Sequence, residues 1–166
     1  MSMIGMFLQI TPATLEEILN DSAVLENIID ELITDYGTDM IDVDKAWDGI
    51  HFLLTGNSLD TEPAHPLRSA ILGTYTVDEN QDLGYGPANY LPPAEVREMY
   101  ESIEDIGKED LKKHYNGKRM DALEVYPGIW SDEAVGFDYL WHHFEKLKEF
   151  YQDAATKENA VVMFIS

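Results

Sequence analysis

Two short apolar runs bracket the chain, IGMFLQI (4–10) near its start and NAVVMFIS (159–166) at its end. Each suits a buried strand, and a buried strand needs cover on its faces. The segments between them carry helical spacing, so helices must supply that cover. The pattern predicts an α/β (or α+β) fold: a single compact domain over 1–166, with a β-sheet covered by helices and strands near both termini. A sheet in which the two terminal strands are neighbours is compatible with this pattern, which does not by itself fix pairing.

Helix-start chemistry follows the first run. Thr11 is a cap, Pro12 sits in the first turn, and Thr14 with Glu17 is an alternative capping box. SAVLENIIDELITDYG spaces Val24, Leu25, Ile28, Ile29, Leu32 and Ile33 by threes and fours, a helix ending near Gly37. VDKAWDGIHFLLTG (43–56) is a third helix, closed by Gly56. After the polar loop NSLDTEPAHP, the piece LRSAILGTYTV mixes a short helical pattern with a strand-like ending. Ala88 to Leu91 is extended, and Pro92 starts the helix bearing Val96, Met99, Tyr100 and Ile103. Short helices broken at Gly117 and Pro127 follow. The longest helix has Leu140, Phe144, Leu147, Tyr151 and Ala154 as its stripe.

Charge is the extreme property. Thirty-two acidic residues against eleven basic give a net −21, and the first sixty residues hold twelve acids against the single base Lys45. Such a surface repels phosphate backbones and argues against nucleic acid as a partner. Its plain meaning is solubility; its sharper one is an acidic face that docks a basic protein. With no cysteine, disulfides, thiolate catalysis and cysteine zinc sites are excluded. The first residues lack the basic region and cleavage motif of a signal peptide. No run of about 18 apolar residues that would cross a membrane occurs. The expected compartment is the cytoplasm.

The third helix carries the candidate chemistry. At about 100° per residue, Val43, Ile50 and Leu54 fall on the side of Trp47, while His51, Asp44 and Asp48 lie about 40°, 60° and 100° round from it as one polar edge. Phe52 falls opposite Trp47, which predicts cover on the back of the helix too. Structurally, His51 is a boundary imidazole and the two carboxylates are solvated, Asp44 favoured in the first turn by the helix dipole. Functionally, Asp48 and His51 at i and i+3 are an acid–base pair at a cleft mouth, Asp48 orienting the ring. Asp44 and His51 stand about 10 Å apart along the axis, too far to share one metal, and no metal or cofactor is expected.

Other motifs fail on inspection. DVDKAWDG puts Trp47 where a calcium loop needs glycine and Leu53 where it needs glutamate. GYGPAN lacks a third glycine, and Pro87 removes an amide. Ser58 has no nucleophile-elbow glycine after it. His142 and His143 point about 100° apart, one to the surface and one to the apolar stripe. His65 and His114 show no ligand spacing. Tyr85, Tyr90, Tyr126 and Trp130 sit in Gly/Pro-broken segments, either pinning loops to the core or lining a pocket.

Taken together, the opening MIGMFLQI, VDKAWDGIHFLLTG, HPLRSAILG, GYGPANYLPPAEV, LEVYPGIW and the closing NAVVMFIS make the chain resemble the YfbM-like family, a bacterial domain of unknown function. Trp47-Asp48-x-x-His51-Phe52 followed by Leu54-Thr55-Gly56 is its most specific element. The resemblance spans nearly the whole length and implies a compact domain with a mixed sheet between helices. It brings no reaction, cofactor or catalytic residue. In the family a basic residue often stands at the place of Asn89, which implies that an anion contact there is weakened in this chain.

Two functions are in play. One is a non-enzymatic binding protein, an immunity-type or regulatory partner whose acidic helices face a basic protein. The other is a small-molecule binder or hydrolytic enzyme, its pocket formed by Trp47, Asp48, His51, Thr55, Tyr85, Tyr90, Tyr126 and Trp130. The second requires those side chains to converge on one concavity.

Overall fold

The computed structural model describes residues 2–34 and 37–166, with 133–135 by backbone alone. The two terminal runs are the centre of its sheet. Strands β1 (Gly5–Ile10) and β5 (Ala160–Ile165) pair antiparallel along their whole length, Gly5 opposite Ile165 and Ile10 opposite Ala160. β2 (Met40–Asp42) flanks β1; β4 (Asn89–Leu91) and then β3 (Tyr75–Thr76) extend the other side, in the order β2-β1-β5-β4-β3. Every pairing is antiparallel, so the sheet is not mixed and the fold is α+β. Apolar patterning says which faces of a strand are covered but nothing of its direction, so the mixed sheet expected from the family resemblance is corrected by the observed pairing.

Alternation along the central strands splits the core in two. Met6, Leu8 and Ile10 with Val162 and Phe164 face α1 (Pro12–Asn20) and α2 (Ala23–Leu32), packing on Leu15, Ile18 and Leu25. Phe7, Val161 and Met163 face the opposite layer. That larger layer contains α3 (Trp47–Thr55), α4 (Ser69–Leu72), α5 (Pro93–Ile103), α6 (Lys108–Lys112), α7 (Gly117–Ala122) and the long α8 (Glu133–Thr156). The α8 stripe of Leu140, Phe144, Leu147, Tyr151 and Ala154 is fully buried in it.

Local chemistry sets the boundaries. The Thr11 hydroxyl accepts the Thr14 amide at 3.2 Å, capping α1 ahead of Pro12. α2 ends at Leu32; the predicted turns before Gly37 fall partly on 35 and 36, outside the described residues. In the third helical segment the first turn is not α: a 3-10 turn spans Asp44–Ala46, and regular helix begins at Trp47. Gly56, left-handed at φ 71°, closes α3 by donating its amide to the Phe52 carbonyl at 2.7 Å. Trp47 through Leu54 are all buried, so α3 runs through the interior rather than along its edge.

Candidate functional site

The break between 3-10 turn and α-helix has a cause. Asp44 sits at φ 49°, a left-handed conformation that non-glycine residues adopt rarely and Asp and Asn more readily than most. Its amide donates to the Asp42 carboxylate at 3.0 Å. Its own Oδ2 accepts the hydroxyl of Tyr139, on α8, at 2.8 Å. The same hydroxyl oxygen accepts the Lys45 amide at 3.1 Å. One phenol thus fixes the first two residues of the turn. Burial and the Asp44 carboxylate push the Tyr139 hydroxyl far above its ordinary titration range, so it stays protonated as the donor this geometry requires.

Asp48, one turn on, is 6% exposed rather than solvated. Its Oδ2 accepts the backbone amide of Tyr126 at 2.8 Å, tying α3 to the loop VYPGIW. The Tyr126 ring stacks on Trp47 with centroids 5.8 Å apart, and its hydroxyl accepts the Met3 amide at 2.9 Å. The Trp47 indole donates to the Met3 carbonyl. Trp130, fully buried, donates its indole N–H to the Val125 carbonyl at 2.8 Å and stacks on Tyr139. Burial pushes the Asp48 carboxyl up to about 6; the Tyr126 amide opposes that shift and Asp60 adds to it.

His51 does not meet Asp48 through a hydrogen bond. It is 2% exposed, and its Nδ1 is buried with no partner among the described residues. The loop after α3 brings Arg68 and His65 towards it, and burial together with those like charges lowers its pKa to about 4. The imidazole is therefore neutral at physiological pH. Thr55 closes the helix: its hydroxyl donates to the His51 carbonyl at 2.9 Å and accepts the Asn57 amide at 3.1 Å.

Of the eight residues predicted to share a pocket, the structure gathers Trp47, Asp48, Tyr126 and Trp130 into one packed group, with His51 and Thr55 further along the same helix. Tyr90 lies across the sheet in the α1–α2 core, its ring 5.4 Å from Tyr75. Tyr85 lines a separate hollow of about 300 Å³ with Thr76, Asn89 and Phe164. The intervening sheet separates Tyr90 from α3, and Tyr85 belongs to that other hollow beside α4, so Asp48, His51, Tyr90 and Tyr126 do not converge. Asn89 donates to the Leu72 carbonyl at 2.8 Å.

A larger hollow, about 580 Å³, lies instead at the first turn of the same segment. The 3-10 turn contributes Asp44 and Lys45, the loop Pro127, Ile129 and Asp132, and α8 Gly136 and Tyr139. Except for Asp44, sequence reasoning did not reach these residues. The contact that organises them joins Asp44 to Tyr139 across 95 positions, and no local pattern encodes it. The one available signal was that two of the resembling motifs, VDKAWDG and VYPGIW, supply two of its walls.

A second surface stands on the far side of the sheet. Glu16, Glu17, Asp21, Glu26, Asp30 and Glu31 are exposed on α1 and α2 or at the junction between them, with Leu19 and Ile33 exposed nearby at 44% and 62%. The three ion pairs among the described residues, Arg97–Glu158, Lys108–Asp138 and Lys157–Asp153, all lie elsewhere.

An antiparallel sheet with its terminal strands central, a buried tryptophan helix and a loop hung from its aspartate define an α+β domain of a recognisable kind. The chain belongs to the family described as a domain of unknown function, DUF1877, whose model matches residues 1–164. It is 30% identical to Protein YfbM of Escherichia coli (strain K12), covering 99% of both chains. Its fold matches the crystal structure of YfbM from Escherichia coli, itself titled a protein of unknown function, with a TM-score of 0.76 at 27% identity, over 98% of this chain and 99% of that one. Among the described residues no helix is long and apolar enough to cross a membrane.

Proposed function

We propose that this domain works by binding a basic protein, as an immunity-type or regulatory partner does, with the α1–α2 layer as the docking face. The observation that carries this reading is the run of exposed acidic side chains from Glu16 to Glu31, with no ion pair to any of them among the described residues. Unneutralised charge of one sign speeds encounter with a partner of the opposite sign and selects against wrong ones. The exposed Leu19 and Ile33 offer apolar contact beside it. The alternative, an acid–base centre on α3, draws less support: Asp48 is occupied by a backbone amide, and Thr55 by the helix end.

Affinity capture from a bacterial lysate tests the proposal, run with the wild type and with a variant carrying Glu16→Lys, Glu17→Lys, Asp30→Lys and Glu31→Lys. A specific basic protein should be retained by the wild type at about 0.05 M salt, released near 0.5 M, and absent from the variant. Capture of the same proteins by both chains, or no capture at low salt, refutes it.

A further inference from the structure

The cleft beside the 3-10 turn lies across the sheet from that acidic face and plays no part in it. Its volume of about 580 Å³ falls within the range of roughly 300–1,000 Å³ usual for small-molecule sites. Charges of both signs line it. Asp44 and Asp132 share its lining with Lys45, and none of the three belongs to an ion pair among the described residues. Asp44 spends Oδ2 on Tyr139, while its Oδ1 has no partner among those residues. Beside the charges the wall is apolar: Pro127, the ring of Tyr139, and Ile129, 53% exposed.

We propose that this cleft binds a small zwitterion with an apolar body, of which a free α-amino acid with a large hydrophobic side chain is the simplest. Asp44 and Asp132 take the ammonium, Lys45 takes the carboxylate, and Pro127, Ile129 and Tyr139 cover the side chain. A plain organic cation would meet the repulsion of Lys45. A plain anion would meet two carboxylates and the field of a chain carrying −21. A ligand with both charges satisfies all three groups at once.

The charges are also held ready. The Tyr139 hydroxyl bonds the Asp44 side chain and the Lys45 backbone together, so the turn is fixed before any ligand arrives. Binding to a preformed turn avoids the ordering cost that a mobile one would add. Asp48, by holding the Tyr126 amide, positions the start of the loop that supplies the apolar wall.

Calorimetric titration with L-phenylalanine, L-leucine and L-tryptophan is the experiment, set against phenylalaninamide, which lacks the carboxylate, and N-acetylphenylalanine, which lacks the ammonium. At least one free amino acid should bind saturably. For phenylalanine, each derivative should bind about tenfold more weakly, the size of one charge-assisted contact. Asp44→Asn keeps an acceptor for Tyr139 and a residue type that tolerates the left-handed turn, so it should fold. It should weaken phenylalanine and phenylalaninamide about tenfold and leave N-acetylphenylalanine unchanged. Lys45→Met should weaken phenylalanine and the acetylated form and spare the amide. Equal binding of all three phenylalanine compounds, variants that do not discriminate among them, or no saturable binding by any free amino acid overturns the proposal. The α1–α2 charge-reversal variant should bind these probes as the wild type does, so this site and the docking face succeed or fail separately.

Discussion

The Asp48 carboxylate, inside α3, accepts the backbone amide of Tyr126 at 2.8 Å across 78 positions of chain. That bond turns a candidate catalytic acid into the fastening for the VYPGIW loop. It leaves an ionised group in the interior at neutral pH, where burial holds its titration at about 6.

Asp48→Asn should stabilise the protein at pH 7.5 by about 1–2 kcal/mol, less than the whole cost of the buried charge because the amide adds a donor that must find a partner. The folded carboxyl titrates above its unfolded value of 3.8, so its favourable contribution is complete below 3.8 and is lost as pH rises through 6. The advantage of the asparagine variant should therefore vanish by pH 4. Urea unfolding at the two pH values checks this; an asparagine variant less stable at pH 7.5 would show that the charged hydrogen bond outweighs the cost of burial.

His51 behaves oppositely. Its folded pKa of about 4 lies below its unfolded 6.5, so its contribution is complete above 6.5 and disappears as pH falls through 4, on the order of 3 kcal/mol in total. His51→Leu should flatten the acid limb of the stability profile between pH 6.5 and 4 while leaving stability at pH 7.5 within about 1 kcal/mol, since volume is nearly kept. An unchanged acid limb would place the titrating group elsewhere.

Gly117→Ala should be among the costliest single changes. A Cβ there would run into the carbonyl oxygen of Trp130, with the Ser131 Cα 3.0 Å away. That carbonyl is already bonded to the Tyr115 hydroxyl at 2.6 Å, and Asp121 accepts the Trp130 amide at 3.0 Å, so the loop cannot retreat. Overpacking of this kind costs about 1–3 kcal/mol or more. Thermal unfolding should show a clear drop in Tm, whereas a neutral result would mean that the VYPGIW loop is less constrained than its bonds imply.

Tyr139→Phe removes the hydroxyl that serves Asp44 and the Lys45 amide together. A loss of about 1–2 kcal/mol is expected for a half-buried bond to a carboxylate. Amide hydrogen exchange at Lys45 should accelerate well beyond that at Ile50, deep in α3. Equal acceleration at both positions would point to global destabilisation instead.

Much of this fold was legible because it is written in local pattern. The strands at both termini, the Thr11 cap, the Gly56 stop and the α8 stripe follow from residue type and spacing, and so did the cover behind Phe52. What escaped was tertiary. Helical geometry placed His51 and Asp48 on one polar edge but could not show that the chain folds back over it, with His65 and Arg68 brought towards His51 and the Tyr126 amide on Asp48. Of the two tyrosines assigned to that edge, Tyr90 carries no mark of which side of a sheet it will take, and Tyr85 none of which hollow it will line. Strand direction left no trace either, and the left-handed turn at Asp44 reads in sequence as an ordinary helix start.

Because Ala160–Ile165 is the seam between two outer strand pairs, a ribosome that has delivered residue 159 has made both halves of the sheet and nothing to join them. The last six-residue strand must close loops of 150 to 160 residues against β1, a slow kind of contact to form. Until it does, the facing edges of β1 and β4 stay open to any passing strand. Removal of that short tail should therefore act less like trimming an end than like pulling a keystone, and two fragments divided before it should recover their shape only when mixed.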